Sequence, residues 1–365
     1  MFNGHTRGWI GIDLGTSTVK LAQVQRSGAQ WRLVHARILR HDPADGGLGP
    51  PGEAPGWWET VCRDKDLRSG FAGRRAAAVL PATATDLRAI HLPEGSERDR
   101  RAMIAGELES ISFPVAGRRS FDFWDSRPPA AEGESKLENV NVLSVLEDDA
   151  AALAGALAEA GLHCEAIDGL PLVLARAVEI VSAADPQVPV AAVDWGCTSA
   201  TFTVICQGRP VFTRYLRDCG FAALPAAVGD ALGLSHADAE QLLTTHGLPD
   251  PGRRGGGAGE IQEILADVLS PSLGAMISQL NKTLAYPELH RSRLIPQRAW
   301  LLGGGATVRN MAAFLSARVG LPFETWRLPG TAQGGSAGNA PLALLGPAVA
   351  LSALGLPNPR THDPV

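Results

Sequence analysis

The sequence lacks the features by which several large classes of protein are recognised. Its 365 residues have 33 lysines and arginines against 38 acids, a formal net charge of −5, so no basic face for nucleic-acid phosphates is expected. The five cysteines include no CxxC pair, which argues against a zinc or disulfide framework and for reduced thiols in a cytoplasmic protein. The first residues, MFNGHTRGWIGIDLG, lack a charged region followed by an apolar run of signal-peptide length, so export is not expected. The most apolar segment, residues 341–357, contains Pro347 and is shorter than the ~20 residues that span a bilayer, so membrane association is expected only through a partner.

Ten residues near the start, GIDLGTSTVK at 11–20, combine an acid, glycines, hydroxyls and a lysine. The β-branched, alternating residues on either side predict a strand, a turn and a second strand. A similar stretch, VDWGCTSATF, returns at residues 193–202. An approximate repeat half a chain apart predicts two lobes of related structure.

Both turns have the residue types that hold a polyphosphate. Glycines let main-chain N–H groups approach phosphate oxygens, hydroxyls add donors, and one carboxylate in each lobe can hold the water shell of Mg²⁺. Three later glycines, between an apolar strand and a helix, predict a further contact with a ring or a ribose. The residues predicted to bind nucleotide on these grounds are Asp13, Gly15, Thr16, Ser17, Thr18, Lys20, Asp194, Gly196, Thr198, Ser199, Gly303, Gly304 and Gly305, with Asp13 and Asp194 holding Mg²⁺ through water.

These motifs, with ELESISFPVAGRRSFDF between them and WLLGGGATVRNMAAFLSARVGLPFETW after them, resemble the actin-like ATPase superfamily. Within it the sequence is most similar to the PilM-like proteins of type IV pilus assembly, in the FtsA and PilM branch. The resemblance implies a two-lobed α/β fold made of a duplicated ribonuclease H-like meander, with ATP or ADP and Mg²⁺ between the lobes. It adds Gly220 and Glu240 to the expected nucleotide site.

The resemblance also implies partners and a location. A PilM-like protein is a cytoplasmic adaptor that is held at the inner membrane by the N-terminal tail of a PilN-like protein, in a groove between the first lobe and the inserted subdomain. The assembly ATPase, other platform proteins and a second copy of the chain are further candidate partners. The strand RSFDFWDS, with Phe121, Phe123 and Trp124, is interpreted either as a wall of that groove or as subdomain core.

The chain is expected to divide into two lobes with a subdomain in each. The first lobe is expected to have a core at 1–83 and 164–188 with a C-terminal helix at about 341–357, and an inserted α+β subdomain at 84–163. The second lobe is expected to have a core at 189–235 and 296–340 and a helical subdomain at 236–295. Residues 358–365 are expected to be a disordered tail.

The sequence departs from the family pattern at four positions near the expected site. Cys219 precedes Gly220 where the family has a second glycine, and Leu243 stands where a ribose-clasping lysine is common. Leu170 occupies the place of a water-orienting carboxylate, with Asp168 two residues earlier. Trp195 is expected to fill part of the cleft beside the phosphates. Because positioning the attacking water is a large part of phosphoryl transfer, nucleotide binding is predicted with slow hydrolysis at most.

Other functions in the same superfamily stay open at this point. A small-molecule kinase would need an acceptor pocket and a poised carboxylate, and no large insertion is evident in the second lobe. An FtsA-like filament former would end in an amphipathic membrane helix, whereas LPNPRTHDPV has no apolar face. The cytoplasmic half of a GspL-type secretion protein is a further alternative.

Overall fold

Strands and helices alternate along this chain in two similar runs. The computed structural model describes residues 6–28, 30–40, 67–126, 137–182, 185–252, 259–286, 289–290, 293–330 and 341–357. The strands of these residues are β1 (Thr6–Arg7), β2 (Ile10–Leu14), β3 (Thr18–Ser27), β4 (Gln30–Arg40), β5 (Arg75–Val79), β6 (Thr85–Pro93), β7 (Arg119–Asp125), β8 (Leu137–Leu146), β9 (His163–Asp168), β10 (Val190–Trp195), β11 (Ala200–Cys206), β12 (Arg209–Leu216), β13 (Ala299–Gly303) and β14 (Phe323–Thr325). The helices are α1 (Glu97–Ser110), α2 (Glu147–Glu159), α3 (Leu170–Val181), α4 (Ala223–Leu232), α5 (His236–Thr245), α6 (Glu260–Leu284), α7 (Met311–Val319) and α8 (Gly346–Ala353), with short 3₁₀ turns at Ala82–Ala84, Gly304–Thr307 and Leu342–Leu344.

Two of the three sheets have the same strand order and the same sense of pairing. In the first sheet β4, β3 and β2 are antiparallel neighbours, β5 and β9 continue parallel to β2, and β1 pairs with β3. In the second sheet β12, β11 and β10 are antiparallel, and β13 and β14 continue parallel to β10. Asp13 and Asp194 are the penultimate residues of the matching strands β2 and β10. The predicted repeat is therefore confirmed.

Burial on both faces explains the apolar sequence of β2, a central strand of the first sheet. All five residues of β2 are buried, because helices and neighbouring strands cover both faces, and such strands have continuous apolar runs rather than alternation. Asp13 is the one polar residue in that run. The turn that follows is closed by the amide of Gly15, which donates to the carbonyl of Thr18 at 3.0 Å.

Helices α3 and α8 lie between the two sheets and join the lobes. Leu174 of α3 and Val349 of α8 belong to one buried cluster with Val24 of the first sheet and Leu302 of the second. The indole nitrogen of Trp326 donates to the carbonyl of Ala177 in α3 at 2.8 Å. A continuous apolar core thus sets the position of one lobe against the other. A second large cluster packs α4, α5, α6 and α7 on the second sheet.

The third sheet is antiparallel, in the order β6, β8, β7, and α1 packs on it. Ile104 and Leu108 of α1 form a cluster with Leu92 and Val142, and Phe121 and Phe123 pack against that cluster. Of the two interpretations of the RSFDFWDS strand, subdomain core therefore describes both phenylalanines. The tryptophan of this strand contacts the second lobe, since the indole nitrogen of Trp124 donates to the carbonyl of Pro210 in β12 at 2.7 Å.

Helix α2 lies inside residues 84–163, yet it packs on the first sheet. Its side chains Leu153 and Leu157 are buried with Ile10 and Ile12. The sequence assigned this helix to the insertion, whereas its apolar face packs on the first sheet. We propose that the inserted subdomain comprises β6, β7, β8 and α1 alone. The tail expected at 358–365 lies outside the described residues, as do residues 127–136.

Candidate functional site

A deep cleft lies between the two lobes, at the ends of β2 and β10. Its volume is about 990 Å³, at the upper end of what small-molecule sites need. The turn after β2 and the turn after β10 face each other across it, and the hydroxyls of Thr16 and Thr198 are 3.3 Å apart. The two repeated turns, predicted from residues half a chain apart, thus meet.

Most of the residues predicted to bind nucleotide line this cleft. They are Asp13, Gly15, Thr16, Ser17, Thr18, Lys20, Asp194, Gly196, Thr198, Ser199, Glu240, Gly303 and Gly304. Gly220 and Gly305 are the two that do not line it. Both glycines instead allow close packing behind the cleft wall. A Cβ on Gly220 would overlap the main chain of Cys197 and Thr198, so this glycine lets α4 start close beneath the second turn.

Three charged side chains face one another at the bottom of the cleft. Lys20 Nζ lies 3.0 Å from Asp13 Oδ2, and each side chain is only 12% exposed. Burial alone would lower the pKa of Lys20, but the carboxylates of Asp13 and Asp194 more than compensate and raise it. Burial, together with the charge of Asp13, raises the pKa of Asp194 to about 6, although Lys20 acts in the opposite direction. The lysine therefore sits where two carboxylates attract a cation.

The glycine run after β13 makes room for side chains of its own lobe. Gly303 has a φ of +78°, and a Cβ there would lie 2.6 Å from Asp194 Oδ1, so the glycine leaves space for that carboxylate. A Cβ on Gly304 would lie 2.6 Å from the Phe221 ring, and one on Gly305 would overlap the Trp195 indole. Gly303 and Gly304 still present main chain to the cleft.

The expectation that Trp195 fills part of the cleft was wrong. The side chain is 1% exposed, lies in the core of the second lobe and does not line the cleft. Successive side chains of a strand point to opposite faces. Since Asp194 faces the cleft, its neighbour Trp195 must face the core, where Gly305 accommodates the indole. Cys219 is likewise buried in that core, so neither departure from the family pattern narrows the cleft.

Helix α5 contributes three side chains to the opposite wall, namely His236, Glu240 and Thr244. Ser235 caps the helix, because its hydroxyl accepts a hydrogen bond from the amide of Asp238 at 3.2 Å, as serine commonly does at this position. Residues four apart lie on one helix face, which brings this set to the cleft. Leu243 is on another face and is fully buried. The residue that follows Glu240 along the cleft wall is thus Thr244.

An ion pair spans the mouth of the cleft. Arg40, the last residue of β4, places Nη1 2.8 Å from Glu240 Oε2. His236 Nε2 lies 3.5 Å from the other oxygen of the same carboxylate. Sequence reasoning missed Arg40 and His236. For His236 a signal existed, since it precedes Glu240 by four residues on a helix, whereas no local pattern pairs Arg40 with α5.

The acid next to the expected water-orienting position is already engaged. Asp168 Oδ2 accepts from Arg176 Nη1 at 2.9 Å, and Asp168 Oδ1 accepts from the amide of Gly169 at 2.8 Å. Leu170, not Asp168, lines the cleft. Among the residues that the structure describes, the carboxylates lining the cleft are therefore Asp13, Asp194 and Glu240.

Two further properties bear on metals and membranes. In the described part of the chain, no group of three or more histidine, cysteine, aspartate or glutamate side chains is arranged to hold a metal ion. A pair of carboxylates can still hold Mg²⁺ through its water shell, which is how this ion commonly binds beside phosphates.

None of the helices described here is both long and apolar enough to cross a bilayer.

Two sheets of matching topology, helices between them and a cleft at the paired turns define an actin-like two-lobed fold. The model of a family described as type IV pilus assembly protein PilM matches residues 11–327. The chain belongs to this family.

Solved structures show the same fold. One match is to the structure described as the PilM-PilN type IV pilus biogenesis complex, at 21% sequence identity and with a TM-score of 0.73. This match covers 96% of the present chain and 99% of the other chain. A second match is to the ethanolamine utilization protein EutJ from Carboxydothermus hydrogenoformans, at 13% sequence identity and with a TM-score of 0.57. This match covers 95% of the present chain and 89% of the EutJ chain.

Proposed function

We propose that this chain is a nucleotide-binding adaptor of a type IV pilus assembly platform, or of a related type II secretion platform. It works at the cytoplasmic face of the inner membrane and binds the N-terminal tail of a PilN-like membrane protein. The observation that carries this proposal is the family match over residues 11–327. The likeness to the PilM of a PilM-PilN complex over 96% of the chain supports it.

The cleft is suited to ATP or ADP with Mg²⁺. The hydroxyls of Thr16 and Thr198 and the main chain of both turns would bind phosphate oxygens. Asp13 and Asp194 would hold Mg²⁺ through water, and Glu240 would accept from a ribose. The bound nucleotide would supply phosphate charge that both turns contact at once, so it would hold the two lobes together.

Hydrolysis is slow at most in this proposal. A hydrolase needs a group that orients the attacking water. Leu170 lines the cleft at the expected position, and the nearby carboxylate of Asp168 is paired with Arg176 at 2.9 Å. Asp13 and Asp194 are assigned to Mg²⁺. The nucleotide is thus a structural ligand that biases lobe closure.

A binding measurement with synthetic tails tests the adaptor role. Peptides matching the N-terminal tails of inner-membrane proteins encoded beside this chain are titrated into the labelled full chain. One of them is expected to bind saturably, and a scrambled peptide of the same composition is the control. If no tail binds better than its scrambled form, the adaptor proposal is wrong.

Calorimetry tests the nucleotide site separately. Wild-type protein is expected to bind ATP with Mg²⁺, and Asp13→Ala to lose this binding, because the substitution removes a carboxylate that faces Lys20 and the cleft. Glu324→Ala is a matched control, since Glu324 pairs with Arg298 at the surface of the second lobe. Equal affinity in wild type and Asp13→Ala would show that the first turn is not a phosphate site. Sedimentation of the same samples tests whether the chain forms homo-oligomers.

A further inference from the structure

A groove runs beside the open edge of the inserted sheet. Among the described residues β7 pairs with β8 alone, so one side of β7 has no neighbouring strand. Helix α1 packs on one face of this sheet, and residues of α1 and β7 together line a space with a volume of about 830 Å³. Its lining includes Arg98, Arg101, Ala102, Ala105, Arg119 and Phe121. None of these residues lines the nucleotide cleft.

Side chains occupy main-chain positions of β7 where another strand would bind. Arg101 Nη1 donates to the carbonyl of Phe121 at 3.4 Å, and the amide of Phe123 donates to Asp122 Oδ1 at 3.0 Å. Arg101 Nη2 also donates to Asp122 Oδ1 at 3.2 Å. In an antiparallel strand the N–H and C=O of one residue point to the same side and alternate residues share that side. Phe121 and Phe123 therefore direct their main chain away from β8 and into the groove.

The wall formed by α1 leaves room for a strand. Ala102 and Ala105 line the groove where longer side chains would fill it, and Ala102 is exposed. Neighbouring strands lie about 4.8 Å apart. A helix beside an unpaired strand edge is an arrangement into which an extended peptide can be added, with main-chain bonds to the strand and side chains against the helix.

The charges of the groove select the ligand. Arg98, Arg101, Arg119 and the acid Glu97 line it. Arg101 already pairs with Glu97 and Asp122, so Arg98 and Arg119 are the cations that a ligand would meet. Arg98 is exposed. Arg119 is held by its contact with the Phe113 ring, 4.0 Å from the guanidinium carbon to the ring centroid, and its Nη1 donates to Ser144 Oγ at 3.3 Å. The guanidinium charges of Arg98 and Arg119 attract an acidic side chain in the groove and repel a basic one.

We propose that this groove binds an acidic segment of a partner protein, in an extended conformation, as an added strand beside β7. On binding, the main chain of the segment replaces Arg101 and Asp122 at the edge, and its carboxylates pair with Arg98 and Arg119. The site is separate from the nucleotide cleft and independent of the PilN-like tail.

A fluorescent heptapeptide that alternates glutamate and valine is the probe, and the same peptide with lysine in place of glutamate is its counterpart. The full-length chain is expected to bind the acidic peptide saturably below about 1 mM and the lysine peptide at least about tenfold more weakly. Hydrogen exchange is expected to slow at the amide of Phe121 when the acidic peptide is bound. Equal binding of both peptides, or no binding of either, would overturn the proposal.

Two variants separate a groove from general surface attraction. Ala102→Trp fills the groove and is expected to abolish binding, and Arg98→Glu is expected to weaken it about tenfold. Arg118→Glu is the matched control, because Arg118 is 87% exposed on the same subdomain and does not line the groove. Thermal melting verifies that each variant folds. An equal loss in Arg118→Glu would indicate nonspecific attraction and contradict the site.

Two additional outcomes identify other occupants. Self-association of the wild type that Ala102→Trp abolishes would replace the proposal with pairing between two copies of this chain. Displacement of a bound PilN-like tail by the acidic peptide would show that the two ligands share one site, and so would overturn the proposed independence. Retention of tail binding by Ala102→Trp is expected.

Discussion

Replacing Asp194 with asparagine is expected to stabilise the protein in the absence of nucleotide. The carboxylate of Asp194 lies in the cleft, where burial and the charge of Asp13 raise its pKa from the ordinary value of 3.8 to about 6. A raised pKa means that the folded state holds the carboxylate less favourably than the unfolded chain does. Asparagine has nearly the same shape and has no charge to bury.

The expected gain follows from linkage between protonation and folding. Each pKa unit corresponds to about 1.4 kcal/mol, so a pKa of about 6 in place of 3.8 amounts to about 3 kcal/mol of lost unfolding free energy at neutral pH. The carboxyl is protonated in both states below pH ~4, where this cost is absent. As the pH rises, the unfolded chain ionises first, so wild-type stability falls between pH ~4 and ~6 and this effect is complete above that range.

Urea denaturation at pH 4 and pH 8 measures this difference. Asp194→Asn is expected to exceed wild type by up to about 3 kcal/mol at pH 8 and to match it at pH 4. Asp13→Asn is the contrasting variant, since it removes the partner that lies 3.0 Å from Lys20 and is expected to destabilise the protein at pH 8. If Asp194→Asn is less stable than wild type at pH 8, attraction to Lys20 outweighs burial and the reasoning is refuted. Stabilisation with loss of nucleotide binding is the trade-off common at functional sites.

Three other substitutions test specific contacts. Gly305→Ala places a Cβ against the Trp195 indole and is expected to cost about 1–3 kcal/mol of unfolding free energy, with a change in tryptophan fluorescence; unchanged stability would contradict the close packing. Arg40→Ala removes an ion pair with Glu240 in which Arg40 is 71% exposed, so its effect on urea unfolding is expected to be below about 1 kcal/mol; a larger loss would contradict a weak surface pair. Trp124→Phe deletes the bond from the inserted sheet to a second-lobe carbonyl at 2.7 Å and is expected to cost about 1 kcal/mol and to speed hydrogen exchange in β7; unaltered exchange would show that this contact does not hold the insertion.

Local patterns were sufficient to predict the paired turns. Asp13 interrupts an otherwise apolar strand, and Asp194 does the same in the repeat, so the polar residue and the turn after it could be identified before any fold was known. The glycine run was also correctly placed between a strand and a helix. The function of Gly305 could not be predicted, because the Trp195 ring that it accommodates is distant in sequence.

The error on Trp195 could have been corrected by periodicity alone, because strand alternation puts its side chain opposite that of Asp194. Periodicity could not separate Leu243 from Thr244, since residues three and four positions after Glu240 both lie near its face. Packing separates them, because Leu243 is buried in the core of the second lobe and Thr244 lines the cleft. Helix α2 is different, because its sequence predicts an apolar face and only the tertiary packing shows that this face covers the first sheet.

The sequence by itself determined the repeated strand and turn units, their acids and hydroxyls, and the family, because these depend on neighbours a few residues apart. The tertiary structure decided which of those groups meet. Thr16 reaches Thr198, and Arg40 reaches Glu240, since the core of α3 and α8 fixes one lobe against the other. The open edge of β7 is a feature of the same kind, because the order of the described strands leaves one side of β7 without a neighbour and the residues of β7 do not determine that order.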